Sequence, residues 1–349
     1  MLLLNGISIN LSKISITIMN AITLRDFGTV ENFELKELSL SAIQSEEVTI
    51  RISASAFNPI DYQMRSGQRE KELMRGMIMG IEFAGVITDI GSAVRDFKIG
   101  DEVMACTILR GSNGTYAEYI TLPYQELVHK PSNIDFAQAA SMPVAAITAR
   151  ASLNRMNAKS GDKVFINGAS GGVGRFLVAL LIHNDIKDIV VSAGNEQSVA
   201  VLMQLGIPAK NIVDYHEDQL AQKILNANGG MPYDHVIDLV GGRMAEVTAE
   251  VLKINGNYVD ITFHGTQLTR EILFDNAATV INIAEYSDVD ANKHLAIVAA
   301  LVNKGEINVP EVNIVGNFSL QTVSKAHQLM ENNQTQGKKL VMMHIPDFV

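Results

Sequence analysis

Lys163-Val164-Phe165-Ile166-Asn167-Gly168-Ala169-Ser170-Gly171-Gly172-Val173-Gly174 reads as a short apolar strand, a glycine-rich turn and the opening of a helix that runs from about Val173 to His183. Glycine lets such a turn adopt positive φ and lets the backbone approach a bound group closely. The helix behind it offers unpaired N–H groups and the positive end of its dipole, which suits a pyrophosphate. A lone glycine cluster is more often an ordinary tight turn. Here the order strand, turn, helix makes the stretch a dinucleotide-binding candidate, with Gly168, Ser170, Gly171, Gly172, Val173 and Gly174 as the cofactor-facing residues.

Downstream, strands and helices alternate. Val164–Asn167, Ile189–Ser192, Asn211–Asp214, Val236–Val240, Asn257–Ile261 and Ala278–Ile283 read as strands, with helical stretches such as Ser198–Leu205 and Arg243–Leu252 between them. That alternation predicts an α/β fold: a doubly wound, Rossmann-type parallel sheet with helices on both faces.

Upstream the texture is different. From about Ile22 to Leu127, short strands are separated by turn residues, as in Val48–Ala54, Gly85–Gly91, the Gly100-Asp101 turn and Thr115–Ile120. This part reads as a partly open β barrel. Helical periodicity begins near Asp135–Ala140 and continues through Ala146–Met156. After a helix at Ala291–Asn303, the stretch Phe318–Asn332 leads to a closing strand, Lys339–Met343, with the texture of the first part. At 349 residues two domains are expected. The predicted division is a β-rich domain at 19–139, a Rossmann domain at 140–288, and a tail at 289–349 that returns to the β-rich domain.

Residues 1–18 form an apolar, β-branched extension whose only charge is Lys13, matching neither a secretory signal nor a transit peptide. An extra strand and an artefact of an early start codon both remain open. No apolar run approaches the ~20 residues needed to cross a bilayer, so no membrane association is expected. The formal charge of −10, without a Lys/Arg cluster, argues against a nucleic-acid partner. The single cysteine, Cys106, rules out an intramolecular disulfide and suits a reducing, cytoplasmic setting. Its surroundings favour a small buried hydrophobe over a reactive thiol.

Several segments, in order, carry a resemblance: Asn58-Pro59-Ile60-Asp61, Arg65-Ser66-Gly67, Gly80-Ile81-Glu82-Phe83-Ala84-Gly85-Val86, Gly114–Tyr119, Met142–Ala149, the glycine turn and Gly337-Lys338. The chain from Met19 onward resembles the medium-chain dehydrogenase/reductase superfamily, in its zinc-free quinone oxidoreductase branch (zeta-crystallin-like). The resemblance implies a GroES-like catalytic domain split around the Rossmann domain. It also implies a cofactor in the cleft between them and homodimers that continue the Rossmann sheet edge to edge. The family's glycine motif usually opens with Ala where this chain has Gly168.

Zinc-dependent relatives hold their metal through Cys and His. Asn58 and Ile81 occupy those positions here, and neither is a strong zinc ligand. The eight histidines are scattered, so no metal site is expected. An alcohol substrate needs its proton removed, which zinc assists. A quinone or α,β-unsaturated carbonyl takes hydride at carbon, and its oxygen needs only hydrogen-bond donors. The absence of ligands therefore favours reduction of conjugated carbonyls.

Asn58 is the leading candidate donor, placed beside the nicotinamide by the resemblance, with a local Asx-type turn as the competing role. Gln63 stands where the family often has Tyr and retains a donor; Tyr62, if the segment is a strand, faces the other way. Thr148 matches a Thr near the nicotinamide, or is a helix hydroxyl bonding back to its own turn. The second strand ends Val191-Ser192-Ala193-Gly194-Asn195, with no carboxylate to repel a 2′-phosphate, which predicts NADPH as cofactor. The resemblance points to Ser192, Asn195 and Tyr215 as its contacts and to Lys338 near the phosphates, although Ser198 replaces a frequent Lys. Arg175 reads as a solvated helix residue or an added charge for the cofactor. The expected activity is an NADPH-dependent quinone or enone reductase. An enoyl-thioester reductase and a non-catalytic NADPH-binding regulator are the alternatives.

Overall fold

Apolar residues at every second position build the first sheet. The computed structural model describes residues 18–68, 71, 78–107, 114–335 and 337–344. The expected extension therefore lies outside the described residues, apart from Ile18, which opens the first strand. The strands β1 (Ile18–Leu24) and β2 (Phe33–Ser39) form an antiparallel pair. Then follow β3 (Glu47–Phe57), α1 (Pro59–Ser66), β4 (Glu82–Ile90), β5 (Glu102–Cys106), β6 (Tyr119–Pro123), β7 (Val128–His129) and α2 (Phe136–Ala140). In β3 the residues Val48, Ile50 and Ile52 are buried, as alternation predicts, but Thr49, bonded to Thr121, is buried between them, and from Ala54 to Phe57 burial becomes continuous. There α2 packs against the strand, while Thr115 and Tyr116 cover Ser55 and Phe57.

The second part runs α3 (Pro143–Met156), β8 (Val164–Ile166), α4 (Gly172–His183), β9 (Ile189–Ala193), α5 (Glu196–Gln204), β10 (Ile212–Asp214) and α6 (Leu220–Ala227). It continues with β11 (Tyr233–Asp238), α7 (Arg243–Glu250), β12 (Leu252–Asp260), α8 (Gln267–Asp275), β13 (Thr279–Asn282) and α9 (Ala291–Asn303). Its six strands are all parallel, in the order β10-β9-β8-β11-β12-β13. Strand order reverses between β8 and β11, the place where doubly wound sheets open a ligand crevice. Helix α4 buries Phe176, Leu177, Val178, Leu180 and Leu181, too many for one face, because it lies between the sheet and α3.

The tail supplies β14 (Val312–Asn317), α10 (Leu320–Glu331) and β15 (Lys339–Met343). Strand β15 pairs antiparallel with β3, so the chain's end completes the first sheet, ordered β14-β15-β3-β4-β5-β7 with β6 also on β3.

Several predicted elements differ: β4 begins at Glu82, before the expected Gly85, α7 ends at Glu250, and β12 begins at Leu252, before the expected Asn257. Thr115–Glu118 is irregular and β6 begins at Tyr119, because the amide of Tyr116 is drawn to the Met79 carbonyl and Ala117 bridges to Ala21. Strand β11 ends at Asp238 and not at Val240, since the Asp238 carboxylate accepts the amides of Val240 and Gly241 and turns the chain. The Ala146–Met156 helix starts earlier, at Pro143, whose fixed φ and missing N–H suit a first helical position. Cys106 is buried in the main core. Among the described residues, no helix is long and apolar enough to cross a membrane.

Candidate active site

The glycine turn is held open by its own packing. Gly168 has φ +69°, and a Cβ there would meet Leu239 and Val240 at 3.0 Å. A Cβ on Gly174 would sit 2.5 Å from Ala169 Cα, so only glycine lets the helix close onto the turn. Beneath it, Asn167 donates to Asp238 Oδ1 (2.9 Å) and Thr248 Oγ1 (2.7 Å) and accepts from the Leu239 amide (2.8 Å). Tyr258 donates to the other Asp238 oxygen at 3.0 Å. Helix α4 has Gly171 as its N-cap residue and no side-chain cap, as is also true of α3, α6, α7 and α9. Its first intrahelical bond comes from Arg175 to Gly171, which leaves the amides of Gly172, Val173 and Gly174 without helical partners. Donors of this kind at a helix N-terminus fit a phosphate, and Ser170 lies in the same turn.

At the tip of β9, Ser192 is buried and Asn195 accepts the Ser198 amide at 2.8 Å, so Ser198 contributes its backbone to a helix cap. Tyr215 is 41% exposed and covers Gly194 so closely that a Cβ there would lie 2.2 Å from its ring. Ser192, Asn195 and Tyr215 thus lie around the carboxyl-terminal ends of β9 and β10. One carboxylate was not foreseen. Asp214 on β10 stands opposite Ala193, with His216 bonded to it at 2.9 Å through both its amide and its ring. Those bonds hold the Asp214 carboxyl below its usual range.

Arg175 is not solvated. It is 6% exposed and donates to the carbonyls of Ser170 (2.6 Å) and Gly337 (3.3 Å), tying the glycine turn to the lead-in of β15. Burial lowers its pKa from the ordinary arginine value. Lys338 beside it pairs with Glu311 at 3.0 Å.

The strand ends of β15, β3 and β4 meet at a buried polar cluster. Asn58, the residue before α1, donates from Nδ2 to Glu82 Oε1 at 2.8 Å. Its Oδ1 accepts from Lys339, whose Nζ also lies 2.6 Å from Glu82 Oε1. The second Glu82 oxygen accepts the Val144 amide at the start of α3, at 2.9 Å. The next residue, Ala145, approaches the glycine turn, since a Cβ on Gly172 would meet it at 3.8 Å. Asn58 therefore sits one short relay from the turn. Asp61 accepts the Asn58 amide at 2.7 Å, and burial, aided by the Glu82 charge, raises its pKa to about 7.

The other candidates lie on α1 and α3, the two helices whose starts join the cluster. Gln63 is half-buried within α1, and because that segment is a helix, the alternating-face argument for Tyr62 does not apply. Thr148 donates to the Val144 carbonyl of its own helix at 2.7 Å. Glu82 and Lys339 were not singled out from sequence. A charge inside the apolar run Ile81–Ala84 was a usable signal for the first; a lysine opening a strand gave none for the second. A cleft of about 420 Å³ lies at the opposite, amino-terminal edge of the Rossmann sheet. Within it Lys253 pairs with Asp234, His235 bonds Asp162, and Arg155 donates to the Asn282 carbonyl.

Two sequence families match the chain: the alcohol dehydrogenase GroES-like domain over residues 44–132 and zinc-binding dehydrogenase over residues 207–341. The chain is 28% identical over 333 residues to the NADPH-dependent alkenal/one oxidoreductase, chloroplastic, of Arabidopsis thaliana, covering 93% of this chain and 79% of that protein. It is 24% identical over 333 residues to the quinone oxidoreductase of Rattus norvegicus, covering 93% and 98% respectively. The solved quinone oxidoreductase from Coxiella burnetii superposes with a TM-score of 0.80 at 26% identity, over 94% of this chain and 100% of that one. The protein belongs to the medium-chain dehydrogenase/reductase family, in its quinone oxidoreductase branch. Zinc, which one matching family carries in its name, does not fit the residues present. Asn58 Oδ1 is taken by Lys339, and Ile81 is apolar and buried. Among the described residues, no three His, Cys, Asp or Glu side chains converge as a metal would require.

Proposed function

We propose that this protein is an NADPH-dependent reductase of quinones or α,β-unsaturated carbonyls that works without a metal. The observation that carries the reading is the junction of the uncapped α4 N-terminus with the Asn58–Glu82–Lys339 cluster. The relatives' names, quinone oxidoreductase and NADPH-dependent alkenal/one oxidoreductase, support the same substrate class.

The amides of Gly172, Val173 and Gly174, with Gly168, Ser170 and Gly171 shaping the turn, would hold the pyrophosphate. Lys338 adds charge nearby. Ser192, Asn195 and Tyr215 would receive the 2′-phosphate, although Asp214 next to them limits the preference over NADH. Bound NADPH supplies the hydride. Asn58 would donate an N–H to the substrate carbonyl as negative charge develops on its oxygen. Gln63 and Thr148 are the reserve candidates for that role. The proposed catalytic part comprises residues 19–139 and 289–349, around a cofactor-binding part at 140–288. The edge strand β13, with Val280 46% exposed, offers the edge through which two sheets would join in a homodimer. A cytoplasmic setting accords with the single buried thiol.

The test follows NADPH absorbance with quinones, short enones and enoyl thioesters. Turnover with the first two supports the proposal; turnover confined to thioesters, or none at all, replaces it with one of the alternatives. Asn58→Ala is expected to reduce kcat about tenfold while NADPH affinity stays within about twofold. Unchanged turnover in a variant with intact melting would make Asn58 purely structural.

A further inference from the structure

Lys339 reaches Asn58 by strand register. Leu340 pairs with Phe57 across β15 and β3, which brings the preceding Lys339 up to Asn58 at the end of the ladder. Ala56 pairs with Glu82 on the other side of β3. Three adjacent strand ends thus deliver an ammonium, an amide and a carboxylate to one buried point. The Lys339 side chain is 12% exposed and that of Glu82 0%.

An asparagine amide has two donor hydrogens and one acceptor oxygen, and both orientations of the group fill the same volume. Here its surroundings distinguish them. Lys339 lies on the oxygen and Glu82 on the nitrogen, so a flipped amide would set N–H against ammonium and C=O against carboxylate. Glu82 takes one Nδ2 hydrogen. The second hydrogen is the amide's remaining donor. The lysine also belongs to the segment that touches the cofactor turn, because the Gly337 carbonyl two residues earlier accepts from Arg175.

We propose that Lys339 is a positioning residue for the reaction: it locks the Asn58 amide in the orientation that leaves one N–H for the substrate carbonyl. This rests on the reading of Asn58 as the donor. Lys339 acts through Asn58 and through its pairing with Glu82, and forms no bond to substrate.

The test compares wild type, N58A, K339M, N58A/K339M and E82Q/K339M, using 1,4-benzoquinone and a short enone as substrates. The readouts are kcat, substrate KM, NADPH dissociation constant by fluorescence and urea unfolding. K339M is expected to lower kcat about tenfold, with NADPH affinity within about twofold. The N58A/K339M variant should be no slower than N58A, because residues that act through one another are non-additive. K339M leaves a buried carboxylate without its counter-ion and is expected to be less stable. E82Q/K339M removes both charges, so it should regain stability yet remain about tenfold slow. Wild-type turnover in E82Q/K339M would show that the lysine only neutralises Glu82, and would overturn the proposal. Independent, multiplicative losses in N58A/K339M would overturn it as well. If N58A is slow and K339M is not, the proposal falls and the Asn58 reading stands. If N58A is itself unaffected, both fall.

Discussion

Two glycines two residues apart should respond to alanine in opposite ways. At Gly174, the added Cβ meets Ala169 Cα at 2.5 Å, its carbonyl oxygen at 2.6 Å and its carbonyl carbon at 2.7 Å. All three are backbone atoms, so no side chain can swing aside. Reaching an ordinary contact of about 3.4 Å requires the helix and turn to separate by roughly 0.9 Å, an overpacking that typically costs ~1–3 kcal/mol. With ~2–4 °C per kcal/mol for domains of this size, Gly174→Ala should lower Tm by ~2–12 °C. It should also weaken NADPH binding, because the amides at the helix start move with the turn. At Gly172, the added Cβ meets only Ala145 Cβ, at an ordinary 3.8 Å. Gly172→Ala should therefore leave Tm unchanged or slightly higher, as alanine favours helix. If the phosphates approach this first helical residue, the methyl group intrudes on them, and NADPH affinity should fall about tenfold, near 1.4 kcal/mol. Thermal melting and fluorescence titration of both variants decide the matter. Equal Tm losses in the two, or wild-type NADPH affinity in both, would refute the assignment of this turn as the cofactor seat.

NADPH should bind more tightly than NADH, by about tenfold given the nearby Asp214. Asn195→Asp keeps the acceptor for the Ser198 amide but adds a charge, so melting should hold while the NADPH preference collapses; unchanged affinities for both cofactors would remove Asn195 from the site. Burial, with a smaller contribution from the Arg65 charge, holds the His327 imidazole down to about 3 from 6.5. A base depressed in the folded state contributes stability above about pH 6.5 that is lost as pH falls toward 3; His344, held down to about 3 by burial, acts in the same sense, while the raised Asp61 opposes one of the two between about 7 and 4. Between pH 6 and 4, His327→Gln should therefore flatten the loss of unfolding free energy by up to about 1.4 kcal/mol per pH unit, measured by urea titration. Elemental analysis should find no stoichiometric zinc, and turnover should survive chelator; one tightly held, activity-linked zinc per chain would contradict the reading of Asn58 and Ile81.

The glycine turn was legible in the sequence because its determinants are contiguous. An apolar strand, a glycine run and an apolar helix follow one another from Val164 to His183, and each is a local preference. The parallel sheet was legible for a similar reason, since alternation of strand and helix leaves few ways to bury both faces. The closing strand could be anticipated by texture, but its register could not. Boundaries failed where a single bond redirected the chain, as at Asp238, whose carboxylate ends β11 by capping the next amides.

Tertiary structure alone decided the environment of the charged and polar side chains. Arg175 looks like a surface residue on a helix, yet its carbonyl partner at Gly337 is 162 positions away, and that contact buries it. Asn58 could be read as a local turn residue or as a catalytic donor. Its partners Glu82 and Lys339 lie 24 and 281 positions along the chain, and only the return of β15 to β3 sets all three at one point. Hydrophobic periodicity specifies which face of an element is buried. Which charges meet across a junction depends on the register of strands distant in sequence, and no local pattern encodes it.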